Sequence, residues 1–407
     1  VDRTNKKELR MESFVFRNPV KIIFGVGEVK KAGEEAAGIG KKALIVTGQS
    51  HVKKSGLFDR IAGYLTDAGV EFVHFEGIEP NPRAATIDRA GEIARQNDCD
   101  MVLGVGGGST MDASKAIAVV TRSAHPIWDY VYNEDSEKKR EVEEALPIML
   151  IPTVAATASE GNRGGIITNW ETNQKAGLFS DHMYPKVSIV DPELTATLPR
   201  QTTIDGAIDI ISHVIESYFT GPDNTPLQDR FSEGIMRTVM ENLEILLEEP
   251  GNLDARATMS WCSTMALLGP VNLGRPGPFP LHFIEHVISG HYDISHGRGL
   301  AIMLPPLMRY TFRDRPEKYA QLAKNIFFID TDKMDLQKAA ETFISRFEDW
   351  MKKVGMYARL SDEGIGDERL EKMVEDTIEV YGGGKDHIGS YRPLYRDDLA
   401  AIFRMGL

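Results

Sequence analysis

Cysteine is nearly absent from this chain of 407 residues, which has only Cys99 and Cys262, far apart and outside any CxxC pair. A disulfide framework is therefore not expected, and a reducing cytoplasm fits. Basic charge is also short, with 47 Lys and Arg against 60 Asp and Glu and a net charge of −13. A phosphate backbone needs a basic surface, so nucleic acid is not an expected partner. No uninterrupted apolar run approaches membrane-spanning length, and the N-terminus lacks a signal-peptide core, so no membrane partner is expected. Neither of the two common nucleotide fingerprints occurs, GxGxxG with an acid about 20 residues on or GxxxxGK[ST]. There is no internal repeat and no low-complexity segment.

What is present is a globular composition, 42% hydrophobic and 26% charged, long enough for two domains. Residues 1–10 are polar, precede Met11 and read as an extension ahead of the fold. From Pro19, short apolar runs alternate with helical patterns. Strands are expected over 20–24, 43–46, 71–75, 101–105, 150–151, 166–167 and 187–190, and helices over 28–37, 57–68, 84–96 and 111–120. This alternation points to a parallel sheet covered on both faces. Past Asp191-Pro192-Glu193 the strand runs stop. Helical patterns over 204–218, 231–247, 255–268, 281–289 and 336–354 take over, which places a boundary near Asp191.

Two loops of the first half suit a nucleotide. Gly106, Gly107 and Gly108 leave a strand and enter a helix. Glycine lets the backbone approach a ligand, and a helix N-terminus offers free N–H groups to a pyrophosphate. Ser109 and Asp112, three apart, also fit an N-capping pair. After the strand at 150–151 comes P-T-V-A-A-T-A-S-E-G-N, rich in small hydroxyl residues able to bond a ribose or phosphate.

Histidine is scarce too, but four of the 10 fall between His282 and His296. On a helix His282 and His286 share one face, and so do Asp209 and His213 in a separate segment. His296 opens His-Gly-Arg-Gly, which reads as a turn. Any single histidine is more often a satisfied core residue. A carboxylate and imidazoles from two segments at such spacing are how a protein builds a divalent metal site. These donors suit Fe2+, Zn2+, Co2+ or Ni2+ alike.

The pattern as a whole resembles the iron-containing (group III) alcohol dehydrogenases from Phe14 onward. It is most similar to the butanol dehydrogenase-like, NADP-using aldehyde reductase branch. The features that carry it are F-G-V-G near Gly25, E-P-N-P from Glu79, G-G-G-S-T-M-D-A-S-K, A-T-A-S-E-G-N, Y-P-K-V-S-I-V-D-P from Tyr184, D-I-I-S-H-V-I-E and the histidine stretch with H-G-R-G-L-A-I-M-L-P. The resemblance implies a dehydroquinate synthase-like fold. Its α/β dinucleotide-binding domain, with a mainly parallel Rossmann-like sheet, would span 11–191, and its all-α metal-binding domain 192–407. It implies metal ligands at Asp209, His213, His282 and His296, with iron as the ion, and a homodimer. It maps cofactor contacts onto Gly106, Gly107, Gly108, Ser109, Asp112, Thr153, Thr157, Asn162 and Lys175, and onto Asn81. Relatives that prefer NAD carry an acid where this chain has Gly48, followed by Gln49 and Ser50, with Lys53 and Lys54 close behind. With no carboxylate there to repel a 2′-phosphate, NADP is favoured over NAD. Two departures stand out. Ala156 and Ala158 replace glycines around Thr157, and residues 274–281 carry three prolines where a tryptophan is usual.

The activity implied is hydride transfer between an alcohol/aldehyde pair and a nicotinamide, with the metal as Lewis acid. His286 is the candidate proton relay, since an imidazole titrates near neutral pH. Three other readings remain open at this point. One is a metallopeptidase with Glu285 as base of an H-x-x-E-H motif. The second is a dehydroquinate synthase-like lyase without net nucleotide turnover, and the third a non-catalytic metal or nucleotide sensor.

Overall fold

Alternate residues of the same strands feed two different cores, and this organises the first half of the molecule. The computed structural model describes residues 13–132, 139–275 and 277–407, so the expected extension at 1–10 and Pro276 lie outside the described residues. Six parallel strands form one sheet in the order β1-β8-β5-β4-β2-β3. These are β1 (Lys21–Phe24), β2 (Lys42–Gly48), β3 (Glu71–Ile78), β4 (Met101–Gly106), β5 (Ile148–Pro152) and, after the hairpin strands β6 (Gly164–Asn169) and β7 (Gln174–Phe179), β8 (Val187–Val190). Leu44 and Val46 of β2 point into one core with Val102 and Leu150. Ala43 and Ile45 point into the other, with Met101, Leu103, Met149 and Ile151. Burial on both faces is why these strands read as unbroken apolar runs.

Helices α1 (Ala32–Ala37), α2 (His51–Lys54) and α3 (Leu57–Asp67) follow the first strands. Then come α4 (Ala84–Gln96), α5 (Gly108–Thr121) and α6 (Trp128–Val131). The expected helix over 28–37 starts as a 3-10 turn, Glu28–Lys31, before α1. The strand expected at 166–167 is the middle of the antiparallel hairpin β6–β7, whose second strand the sequence reading missed. Gly177 and the polar residues Gln174 and Lys175 mask that strand's apolar alternation.

The second half consists of α7 (Arg200–Thr220), α8 (Pro226–Glu248), α9 (Leu253–Leu267), α10 (Pro280–Tyr292), α11 (His296–Thr311), α12 (Pro316–Phe327), α13 (Leu336–Lys353), α14 (Leu370–Tyr381) and α15 (Arg396–Gly406). Its only strands among the described residues are the pair His387–Ile388 and Leu394–Tyr395. α7 is buried around nearly its whole girth from Thr203 to Tyr218, as expected of a helix at the centre of a bundle. The His-Gly-Arg-Gly sequence is not a turn. His296 is the first residue of α11, with Ser295 at the N-cap. Its glycines serve close packing instead: a Cβ on Gly297 would collide with the Asp205 backbone of α7.

The two halves meet just as closely. Gly206 of α7 lies so near the Ala155 carbonyl, in the loop after β5, that a Cβ there would overlap it. Gly206→Ala is therefore expected to lower stability by about 1–3 kcal/mol, the usual cost of overpacking. A urea denaturation midpoint equal to that of the parent would contradict this packing.

Candidate active site

Helical spacing does the first part of the assembly. Asp209, His213 and Glu216 lie on one face of α7, and His282, Glu285, His286 and Ser289 on adjoining faces of α10. α10 begins at Pro280, a residue suited to a first helical position, and ends at Asp293 in the left-handed region, φ 55. The reversal that follows brings His296 back over His282.

Three imidazoles then face one carboxylate oxygen. Nε2 of His213, His282 and His296 lies 3.5, 3.8 and 3.7 Å from Asp209 Oδ1. Oδ1 of Asp209 and Nε2 of His282 are buried and have no hydrogen-bond partner. Donors about 2.1 Å from a shared ion stand roughly 3.4 Å apart in a tetrahedron, and the ligand atoms of Asp209, His282 and His296 all lie within 4.8 Å of one another, so these three fit a divalent ion, with His213 beside Asp209. Carboxylates stand behind two of the three rings. Glu216 Oε2 accepts from His282 Nδ1 and its Oε1 from the Leu281 amide. Glu285 Oε2 accepts from His296 Nδ1, and its Oε1 from the Ser289 hydroxyl. His282 and His296 thus carry a hydrogen on Nδ1 and turn Nε2 toward Asp209, while Nδ1 of His213 is buried without a partner. Both Glu285 oxygens are already engaged, by His296 and by Ser289, which weighs against Glu285 as the base of an H-x-x-E-H site.

Electrostatics tell the same story. Burial raises the Asp209 carboxyl, but His213, His296 and His282 outweigh it and hold its pKa at about 2. Burial pushes His213 down to about 4. Burial, and after it Lys175, pushes His286 and His296 well below the ordinary imidazole range, so His286 does not titrate near neutral pH as the sequence suggested. Only His282 goes up, to about 10, because Glu216 and Asp209 overcome its burial. With no ion bound, the cluster keeps one positive charge as a proton on His282. An ion would take over that charge and release the proton.

His286 stands beside this cluster, its ring centroid 5.4 Å from that of His296. Its Nδ1 is 2.7 Å from the Tyr381 hydroxyl.

The loops expected to meet a nucleotide gather at the carboxyl ends of the parallel strands. β2 is followed in sequence by β3 on one side of it, and β4 by β5 on the other. Such a reversal opens a crevice where α/β sheets bind ligands. Gly48 closes β2 and lies against Thr110 of α5, and Gln49 and Ser50 follow it. Gly106 closes β4, while Gly107, Gly108 and Ser109 form the start of α5. The N-cap is Gly107 without any side-chain cap, so Ser109 and Asp112 are not a capping pair. Asp112 instead accepts from Ser159 Oγ at 2.6 Å and the Ile166 amide at 2.9 Å, tying α5 to the loop after β5. Thr153 and Thr157 belong to that loop, and Thr157 packs against Gly108. Ala158 adopts φ 52, which explains why glycine suits this position, yet its methyl is fully buried without conflict. Asn162 Oδ1 accepts from the buried Lys115 at 3.0 Å, and its Nδ2 donates to Ala158 O, so its amide braces the loop from inside.

Asn81 and Lys175 lie between the halves. Asn81 donates to Asp293 Oδ1 and Ile294 O, and Arg83 pairs with Asp293 Oδ2 at 2.6 Å. Lys175 Nζ donates to Asn81 Oδ1 at 2.8 Å and lies 3.5 Å from Glu285 Oε2. The sequence reading missed Glu216, Tyr381 and Arg83 and gave Glu285 another role. Glu216 was legible, one turn beyond His213. Tyr381 and Arg83 approach the site from distant segments, and no local spacing marks them.

A family model described as iron-containing alcohol dehydrogenase matches residues 19–192. A second, described as Fe-containing alcohol dehydrogenase family, C-terminal, matches 203–407. The probable NADH-dependent butanol dehydrogenase 2 of Bacillus subtilis is 39% identical, over 98% of this chain and 100% of its own. The NADPH-dependent aldehyde reductase YqhD of Escherichia coli is 31% identical, over 91% of this chain and 94% of its own. The crystal structure of NADH-dependent butanol dehydrogenase A from Thermotoga maritima superposes with a TM-score of 0.90 at 39% identity, covering 97% of this chain and 99% of that one.

Removing the carboxylate that orients His282 should loosen the cluster's hold on an ion. Glu216→Ala is expected to weaken Zn2+ or Fe2+ affinity about 10–100-fold in a competitive chelator titration. Unchanged affinity would mean that His282 does not bind the ion.

Proposed function

Because the chain belongs to the iron-containing alcohol dehydrogenase family, we propose that it transfers hydride reversibly between NADP(H) and a primary alcohol/aldehyde pair of short aliphatic chain. The observation that carries this reading is the convergence of three imidazole Nε2 atoms on the unpartnered Asp209 Oδ1, in helices packed against the strand-end loops. Asp209, His213, His282 and His296 would hold a divalent ion, iron by family, which polarises the substrate oxygen while the nicotinamide gives or takes the hydride. The start of α5, with Gly106 to Ser109, would meet the pyrophosphate. Gly48, Gln49 and Ser50 would face the adenosine ribose. Thr153, Thr157 and Lys175 would border the nicotinamide end, with Asp112, Asn162 and Asn81 bracing the surrounding loops. His286 Nε2 would accept the alcohol proton in oxidation and return it in reduction. The butanol dehydrogenase names of several relatives support a small aliphatic substrate. The domain boundary is placed near Asp191, after β8 and before α7.

The nucleotide reading rests on the absence of an acid directly after β2 and on Lys53, whose Nζ lies 2.7 Å from Glu76 Oε2 on the neighbouring strand. A 2′-phosphate would compete for that ammonium group. The rival, NAD(H), is favoured by the NADH-dependent names of four relatives. A homodimer is proposed across the edge strand β1, where Phe14, Val15, Phe16, Phe24 and Trp261 stand exposed. Among the described residues no helix is long and apolar enough to cross a membrane, and the cytoplasm is the proposed location.

Two measurements test this. A panel of short-chain aldehydes, assayed with NADPH and NADH after reconstitution with defined metals, should give metal-dependent net oxidation of the nucleotide, faster with NADPH. No net oxidation with any aldehyde would favour a lyase. Lys53→Ala is expected to lower kcat/KM for NADPH about fivefold, the size of an exposed charge pair, and to leave NADH nearly unaffected. Equal loss with both nucleotides would reject the 2′-phosphate contact.

A further inference from the structure

The hydrogen-bond chain behind His286 has a direction that its chemistry fixes. Tyr381 ends α14, far in sequence from α10, and its ring stacks on Phe283 with centroids 4.4 Å apart and planes 10° from parallel. Its hydroxyl touches two groups, the carbonyl oxygen of Lys175 on β7 and Nδ1 of His286. A phenol has one hydrogen to donate, and a carbonyl can only accept. Burial, and then the charge of Glu285, raise the Tyr381 pKa well above its ordinary value, so the phenol keeps that hydrogen. It goes to Lys175 O. Toward His286 the phenol oxygen must therefore accept, and the hydrogen of that bond belongs to Nδ1.

We propose that Tyr381 is a positioning residue that locks His286 in its Nδ1–H tautomer and so leaves Nε2 as the proton-accepting atom. The assignment rests on the functional reading above only for what Nε2 then does. Among the described residues no group is hydrogen-bonded to His286 Nε2, which leaves it available to a substrate. In alcohol oxidation the substrate O–H bond breaks and an Nε2–H bond forms, while the Nδ1 hydrogen stays on its ring and strengthens its bond to Tyr381. Solvent then takes the proton from Nε2. In the opposite tautomer Nε2 would already bear a hydrogen, and oxidation would have no acceptor there. The anchor is the β6–β7 hairpin, because the carbonyl that orients the phenol sits on the residue whose ammonium group bonds Asn81.

The test uses enzyme reconstituted with diamagnetic Zn2+ and labelled with nitrogen-15 histidine, with the His286 signal identified by its loss in His286→Asn. The parent should show the Nδ1–H tautomer at His286. Tyr381→Phe should lose it, and kcat should fall tenfold or more in both directions. KM for the aldehyde, nucleotide affinity and zinc content should stay unchanged. An Nε2–H tautomer in the parent would overturn the proposal, as would a Tyr381→Phe enzyme with parental kcat. A kcat loss accompanied by lost zinc or nucleotide affinity would also overturn it, since that marks a packing role. If the parent turns over no aldehyde, the functional reading fails instead, and the imidazole signal alone decides the lock.

Discussion

A single carboxylate oxygen governs this molecule. Asp209 Oδ1 is buried and has no donor, and three imidazole Nε2 atoms face it. An uncompensated buried charge costs several kcal/mol, so this arrangement persists only if positive charge is supplied at its centre. A proton on His282 meets the need partly. A divalent ion meets it fully, with donors already at bonding separation. The helices are arranged to create that need: α7 is buried on all sides, and α10 and α11 reverse tightly enough to bring His296 back over His282.

The second layer turns a charge deficit into a specific geometry. Glu216 and Glu285 each hold one ring by Nδ1, and each adds negative charge that must itself be offset. Glu216 has the His282 ring and the Leu281 amide for this. Glu285 draws on the other half of the protein, through Lys175. Lys175 reaches on to Asn81, and Asn81 with Arg83 grips the left-handed Asp293 that sets the α10–α11 reversal. The orientation of His296 therefore depends on a lysine from the hairpin and an asparagine after β3. The positions expected to meet a nucleotide and those expected to hold a metal are parts of one hydrogen-bonded frame.

Much of this was legible in the sequence, and the reasons for success and failure are physical. The parallel sheet could be read because strands buried on both faces leave unbroken apolar runs. That Asp209, His213, His282 and His296 would lie together was legible because helical spacing puts Asp209 with His213, and His282 with His286, on one face each; choosing those four over His286 came from the family resemblance. Glycine-rich stretches were harder, because glycine serves two ends. After β4 it opened a strand-to-helix turn as expected. After His296 the same residue type allowed helix α11 to touch α7, and the expected turn was a helix start. β7 escaped notice because its alternation is broken by the lysine that bridges the halves. Residues that act through space from distant segments, Tyr381 and Arg83 among them, leave no periodic trace.

The two departures from the family pattern look different once the backbone is in view. Ala158 occupies a left-handed position that a methyl tolerates at a cost of roughly 1 kcal/mol. It does so inside a loop braced by Asn162, Lys115 and Asp112. That bracing is why the strain can be carried: Asn162 Nδ2 holds the Ala158 carbonyl, and α5 holds the loop through Ser159. A loop stiffened in this way presents Thr157 to Gly108 at the start of α5 without needing glycine's freedom. Arg275, ahead of His282, has comparable anchors. Arg275 is buried and bonded to Thr225 and Asp229, which also receives Lys318. Pro280 then starts α10. Both departures thus sit beside buried polar anchors, Asn162 with Lys115 for Ala158, and Asp229 for Arg275 at the head of the Pro-rich stretch.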